Sequence, residues 1–222
     1  MNLTITTYDK WLQRDIQSLK ERIMEDPIQV MDVDGLHHEF VSGMHGQKLD
    51  FDKILTGTDF YIQWVSLYAR AIKQIYGDLY PSAIVGIANG ANRLAKSIAP
   101  LISDDMIVLS TEKVDAKTVK LTEDSVEILK NQSVEFVLIV EDVGTTGSTT
   151  VTAVHDLHNK GISKIEVLNG WVRTESLVRL DEIGIPYYAL IHDTLPVFNP
   201  DDCEKDEKGF CKRGFEFVPH AK

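Results

Sequence analysis

Two acids set side by side, Glu141 and Asp142, follow an apolar run and precede a stretch of glycine, threonine and serine. Residues 137–150 read Val-Leu-Ile-Val-Glu-Asp-Val-Gly-Thr-Thr-Gly-Ser-Thr-Thr. Neighbouring carboxylates hold a cation or the hydroxyls of a diol. The N–H groups and hydroxyls of such a loop, where it enters a helix, wrap a phosphate. A plain strand–turn–helix accounts for the glycines but leaves two like charges together without a positive partner. A receiver domain places its acids near its own start, whereas 140 residues precede these. Neither G-x-G-x-x-G nor G-x-x-x-x-G-K-[ST] can be read across the loop.

Four further segments carry groups that could serve the same chemistry. Residues 86–95, Gly-Ile-Ala-Asn-Gly-Ala-Asn-Arg-Leu-Ala, also stand between an apolar run and a helix, and Ala88, Asn89 and Gly90 would present N–H groups to an anion. Residues 110–120, Ser-Thr-Glu-Lys-Val-Asp-Ala-Lys-Thr-Val-Lys, carry Lys113 and Lys117. Residues 39–46, Glu-Phe-Val-Ser-Gly-Met-His-Gly, are followed by Lys48 and Phe51. Residues 172–175 are Val-Arg-Thr-Glu. Each has a plain reading on its own: a β–turn–α unit, a charged surface hairpin, a turn, a helix start.

Residues 137–150 resemble, without a gap, the phosphoribosyl pyrophosphate (PRPP) signature of the type I phosphoribosyltransferases. The resemblance implies that Glu141 and Asp142 hold the ribose hydroxyls, directly or through Mg²⁺, so that any metal is bound indirectly, via ribose or water. It implies that Val143, Gly144, Thr145, Thr146, Gly147, Ser148 and Thr149 bind PRPP, with residues 145–149 around its 5′-phosphate. Displacing pyrophosphate from the ribose passes through an oxocarbenium-like state, which favours carboxylates nearby. The departing pyrophosphate needs Mg²⁺ to neutralise it.

The other segments extend the resemblance. Residues 86–95 resemble the family's pyrophosphate loop. Residues 110–120 resemble the catalytic loop of orotate phosphoribosyltransferases, which implies catalytic roles for Lys113 and Lys117 alongside Asp142. That family's Arg-Lys pair is Glu112-Lys113 here, and the histidine expected a few residues on is absent. Residues 39–46 resemble the Phe-x-x-Ser-Gly segment of orotate enzymes, implying a base site that includes Phe40, Ser42, Lys48 and Phe51. Residues 172–175 resemble their Asp-Arg-x-Glu segment, with Arg173 toward the orotate carboxylate and Val172 in place of the aspartate. The 6-oxopurine enzymes carry an aspartate base where this chain has Thr145, so Thr145 points the base site away from purines. The resemblance thus implies an enzyme that converts orotate and PRPP to orotidine 5′-monophosphate and pyrophosphate, as a homodimer, with Mg²⁺ and no other cofactor. A purine or uracil salvage enzyme is one alternative. A non-catalytic PRPP-sensing regulator is another, favoured by the altered loop at 112–119.

These residues need a scaffold, and the hydrophobic pattern supplies one. Apolar strands at 83–87, 106–109, 137–140, 165–168 and 187–191 alternate with helices at 92–98, 148–159 and 175–183. That alternation predicts an α/β fold with a mainly parallel sheet flanked by helices, which binds ligands at its strands' C-terminal ends. Helices are also expected over 8–25 and 58–76, a loop with a short strand over 36–52, and a hairpin within 110–133. All 222 residues fit one domain, with a small hood from residues 30–55 and 195–222.

A net charge of −11 excludes general nucleic-acid or anionic-membrane binding. No run of about 20 apolar residues spans a membrane, and no signal peptide opens the chain. Two cysteines, Cys203 and Cys211, suit a reducing cytoplasm and read as free surface thiols. A zinc site takes about four ligands, and although His192 or His220 could join the cysteines, their spacing compels none. His37, His38 and His45 read as solvated loop residues. Trp11, Trp64 and Trp171 read as core or interface and not as platforms for stacking a base, with Trp171, at a strand end beside Arg173, the one exception.

Overall fold

A computed structural model of the protein describes residues 8–25, 36–40, 43–46, 58–174 and 177–219. Helix α1 (Lys10–Glu25) is followed by strands β1 (Leu36–Glu39) and β2 (His45–Gly46) and by helix α2 (Thr58–Tyr76). An alternating stretch comes next: β3 (Ala83–Gly86), α3 (Ala88–Ile102), β4 (Ile107–Lys113), β5 (Val119–Leu121), α4 (Glu123–Asn131), β6 (Phe136–Gly144), α5 (Ser148–Asn159), β7 (Lys164–Val172), α6 (Val178–Ile183) and β8 (Tyr187–His192). Strand β9 (Val197–Phe198), helix α7 (Pro200–Lys205) and strand β10 (Glu216–Val218) close the chain.

The main sheet runs β5-β4-β3-β6-β7-β8, with every pairing parallel except β4 with β5. Strand β6 lies inside it because it is apolar on both faces. Val137 and Ile139 join a core with Ala153, Val154 and Leu157 of α5, while Leu138 and Val140 join one with α1, α2 and α3. From β3 the chain first winds outward to β4, then returns to place β6 on the other side of β3. The loops after β3 and β6 therefore diverge from a topological switch point, where such sheets open a crevice.

A second sheet runs β10-β1-β2-β9 and joins residues 36–46 to residues 197–218. Among the described residues no helix is long and apolar enough to cross a membrane.

Several expectations change. Strand β6 extends through Gly144, so the two acids lie within the strand and not after it. Helix α3 begins at Ala88, which puts Asn89 and Gly90 in its first turn. Only residues 119–121 of the expected hairpin pair with β4. Val126 and Ile128 belong to helix α4, because Thr122 caps it by accepting from the Ser125 N–H and Glu123 and Asp124 favour its first turn. Trp171 is fully buried within β7, and its indole donates to the Asp193 carbonyl at 3.0 Å, so it is no platform for a base. Trp11 is exposed, with the Arg14 guanidinium over its ring. The cysteines and two of the histidines are not surface groups: Cys203, His37 and His45 are buried and Cys211 is half-buried. Burial, aided by the adjacent Cys203, pushes the Cys211 thiol up to about 11.

Helix α2 can lie this close to β7 only because of Gly170. A Cβ there would stand 2.7 Å from both the Asp142 carbonyl and the Tyr68 hydroxyl, and would penetrate the Trp64 ring. Gly170→Ala should therefore cost about 1–3 kcal/mol, the usual range for overpacking. Urea denaturation checks this, and an unchanged midpoint would show that the Trp64 and Tyr68 side chains and the Asp142 backbone have room to move.

Candidate active site

Strand alternation sends the Glu141 and Asp142 side chains to opposite faces of β6. The Glu141 carboxylate accepts a hydrogen bond from the Thr150 hydroxyl on α5, and its backbone carbonyl accepts from Tyr68 Oη at 2.5 Å. Burial pushes the Glu141 carboxyl up to about 8; the Thr150 hydrogen bond pulls against this, and Asp142 adds the smallest contribution, upward. Mutual repulsion is thus a minor influence here, contrary to the weight that adjacency in sequence gives it. Burial, followed by the charges of Asp142 and Glu141, holds the Tyr68 phenol protonated. Asp142 Oδ1 accepts from the Val143 N–H at 2.7 Å.

The loop after β6 is held by its acceptors. The carbonyls of Gly144, Thr145 and Thr146 take hydrogen bonds from the Arg173 N–H (3.1 Å), the Thr174 hydroxyl (2.5 Å) and the Arg179 N–H (3.0 Å). Gly147, at φ +78°, then caps α5, whose N-terminal turn brings Ser148 and Thr149 to the cleft with the positive end of the helix. Gly144 leaves no room for a side chain: a Cβ would lie 2.7 Å from Asn169 Oδ1 and 2.8 Å from Leu177. Asn169 is itself fully buried, with no hydrogen-bond partner for its amide among the described residues.

The loop after β3 is built differently. Ala88 has φ +55°, the one positive value outside glycine among the described residues, a conformation that costs about 1–3 kcal/mol unless its surroundings enforce it. Thr111 enforces it: its hydroxyl accepts from the Ala88 N–H at 2.8 Å and donates to the Gly86 carbonyl at 2.9 Å. Asn92 then brackets the Thr111 backbone, through bonds of 2.7 and 3.0 Å. The Ala88 N–H is thereby occupied, while Asn89 and Gly90 lie in the first turn of α3 and Gly90 lines the cleft described next.

Two clefts meet between these loops. One, of about 620 Å³, is lined by Glu141, residues 143–149, Phe40, Lys117, Val178, Arg179 and Glu182. The other, of about 360 Å³, is lined by Ala88, Gly90, Lys113, Asp115, Glu141, Asp142 and Thr149 among others. Glu141 and Thr149 belong to both. The lysines arrive on the β4–β5 hairpin, whose tip is shaped by Asp115 Oδ1 accepting from the Lys117 and Thr118 N–H groups (2.7 and 2.9 Å). The Lys117 N–H leads the influences that hold the Asp115 carboxyl below its usual range. Glu112, in place of an arginine, faces Lys120 across the hairpin and pairs with it at 3.2 Å.

Arg173 leaves the end of β7 almost fully buried, and burial lowers its pKa to about 10. The Phe40 ring covers the guanidinium, 4.5 Å from ring centroid to Cζ. Phe40 thus lies against Arg173 and on the larger cleft, while Ser42, Lys48 and Phe51 lie outside the described residues. Sequence reasoning missed Thr111, Thr150, Tyr68, Asn169 and Arg179. Only Asn169 left a usable trace, as a lone amide inside the apolar run 165–172.

A phosphoribosyl transferase domain model matches residues 61–181. No curated protein matches the chain significantly in sequence. Among solved structures it is similar to a phosphoribosyltransferase from Corynebacterium diphtheriae (TM-score 0.59, 17% identity, covering 81% of this chain and 96% of that one). It is similar to the orotate phosphoribosyltransferase from Aeropyrum pernix (0.58, 19%, 80% and 92%). The orotate phosphoribosyltransferase of Mycobacterium tuberculosis H37Rv in complex with PRPP is another neighbour (0.53, 18%, 81% and 89%). With the matched segment running from α2 through both cleft-forming loops to α6, the chain belongs to the phosphoribosyl transferase domain family.

Proposed function

We propose that the protein transfers the phosphoribosyl group of PRPP to a nucleobase, orotate before others, and releases pyrophosphate. The observation that carries this reading is the pair of clefts sharing Glu141 and Thr149, one with an anion loop and the other with a lysine. In it, the 5′-phosphate sits on residues 145–149 at the start of α5, and the ribose hydroxyls face Glu141 and Asp142. Pyrophosphate sits on Asn89, Gly90 and Lys113, while Lys117 lines the cleft of the 5′-phosphate. The C1–O bond to pyrophosphate breaks with its electron pair leaving on oxygen. The base nitrogen, having given its proton to solvent, forms the new bond to C1. Fixed carboxylates beside the ribose stabilise the positive charge that develops on it between these events.

The residues present fit Mg²⁺. Glu141 and Asp142 offer hard carboxylate oxygens, and Mg²⁺ is commonly held by one or two carboxylates together with substrate phosphates. Bound there through ribose or water, it would supply charge neutralisation to the leaving pyrophosphate. Arg173 supports orotate in particular, since a buried guanidinium with an aromatic lid suits a planar carboxylate. Thr145, where 6-oxopurine enzymes carry an aspartate, supports the same choice over purines. Homodimer formation and a cytoplasmic setting belong to this reading. A PRPP sensor is the second reading, favoured by Glu112 and its ion pair with Lys120.

Pyrophosphate release from PRPP, assayed across orotate, uracil and purines, should appear with orotate. Calorimetric PRPP binding without turnover on any base would leave the sensor. Lys113→Ala should lower kcat about 100-fold, as loss of one transition-state donor does, with PRPP affinity little changed; an unaltered kcat would remove Lys113 from the chemistry. Glu141 predicts a pH effect whose sign is fixed. Its free-state carboxyl keeps a proton below about 8, while ribose hydroxyls and Mg²⁺ favour the carboxylate. PRPP binding should therefore expel a proton and strengthen as pH rises toward 8, and Glu141→Gln should flatten that rise. An equally steep rise in the variant would assign it to the ligand's own phosphates.

A further inference from the structure

We propose that His37, His45, Cys203 and Cys211 form a structural Zn²⁺ site that fastens the amino-terminal strands to the carboxy-terminal tail. One donor atom from each of the four residues lies within 4.8 Å of the other three. Cys211 Sγ is 3.1 Å from His37 Nε2 and 3.5 Å from His45 Nδ1. Zinc bonds of about 2.3 Å to sulfur and about 2.0–2.1 Å to nitrogen place tetrahedral donors about 3.3–3.8 Å apart, so a Zn²⁺ ion fits among them with only small side-chain adjustments. The donors are two sulfurs and two imidazole nitrogens, the set that selects Zn²⁺ in tetrahedral geometry. Two thiolates cancel the charge of the ion, so the buried centre is neutral. Four protein ligands close the coordination shell, which marks a structural and not a catalytic site.

The surroundings are built for this. The ligands come from four places, β1, β2, α7 and the turn after α7, and the His37–Cys211 contact spans 174 residues of sequence. Within the turn, the Cys211 N–H donates to Cys203 Sγ at 3.2 Å and the Lys212 N–H donates to the Cys203 carbonyl at 3.0 Å. Donation of an N–H to sulfur stabilises a thiolate. Gly209 allows the turn to close, since a Cβ there would overlap the Cys203 carbonyl. Phe210 stacks on the His37 ring, and Phe217 packs on both imidazoles, which excludes water from the cluster.

The small sheet also needs such a fastening. Its strands have four, two, two and three residues, too few for independent stability. Closing the long loops between its parts costs entropy that a metal staple offsets. The site also bears on the cleft. Phe40 directly follows β1, and Gly46 of β2 lies so close to the Phe40 ring that a Cβ would clash with it. The metal thus fixes the two strands that hold Phe40 over Arg173, and the site stands whether or not the base is orotate.

The test uses the full chain, purified without chelators and assayed for metal by mass spectrometry. About one equivalent of zinc per chain is expected. Replacement by Co²⁺ should give the visible bands of a tetrahedral ion together with a thiolate charge-transfer band. The Cys203→Ser/Cys211→Ser double variant should lose that zinc, while His158→Ala, on the exposed side of α5, keeps it. The Co²⁺ spectrum of the unaltered chain decides the question even if the double variant fails to fold. A chain that takes up less than a tenth of an equivalent after incubation with zinc would overturn the proposal. So would a six-coordinate Co²⁺ spectrum, or both cysteines reacting with a thiol reagent as fast with zinc as without.

Discussion

The candidate site depends on keeping the Glu141 carboxyl out of water at the end of a central strand. A buried carboxylate is costly unless it is protonated or partnered, and the pKa of about 8 expresses that cost. The neighbouring elements are arranged around it. Thr150 reaches it from α5, while Tyr68 on α2 grips the backbone of the same residue. Tyr68 can do so because Gly170 lets α2 settle onto β7, and Trp64 fills the space beside it. Helix α2 therefore acts as a clamp on the strand end as well as a cover for the sheet. The free acid accordingly keeps its proton below about 8, in a setting that the surrounding core builds.

Both loops at the switch point bring the start of a helix to the clefts, by opposite means. After β6, three carbonyls are tied down by the segment that follows β7, and a left-handed glycine turns the chain into α5. After β3, a non-glycine residue takes the left-handed conformation and a single threonine holds it there. The second device uses up one donor, so that loop offers fewer N–H groups than its glycine-bearing sequence implies. Thr111 belongs to β4, the strand that carries Lys113 two residues later. Thr111 thus joins the hairpin that carries Lys113 directly to the strained Ala88 peptide.

The main sheet was readable in the sequence because its signal is local. Runs such as 137–140 and 83–86 are apolar on every residue, which only strands buried on both faces require. The 137–150 segment was readable for a related reason: its acids, loop and helix start are contiguous. What escaped was non-local. Thr111 and Thr150 are common residue types whose roles exist only once β4 and α5 are placed. The His37–His45–Cys203–Cys211 cluster escaped for the same reason, since neither pair reaches zinc spacing and the halves lie some 160 residues apart in sequence. Glu141 and Asp142 look paired in sequence, but alternation along the strand sends their side chains to opposite faces.

For the proposed transfer from PRPP, a chain of net charge −11 must admit a ligand that carries several negative charges. At physiological salt the Debye length is about 8 Å, so the distant acidic surface is largely screened and local charges decide. Around the clefts those are Lys113, Lys117 and Arg179, the positive ends of α3 and α5, and the buried Arg173 behind them. Arg179 pairs with Glu182 at 3.0 Å, but both side chains are more than half exposed, and such pairs contribute about 0–1 kcal/mol. An arriving phosphate needs little to draw Arg179 away. The same holds for the hairpin, where the exposed Glu112–Lys120 pair costs little to break. The cations most firmly fixed are therefore not those at the cleft mouth. Arg173 is the one held in place by burial, with the Phe40 ring between its guanidinium and the larger cleft.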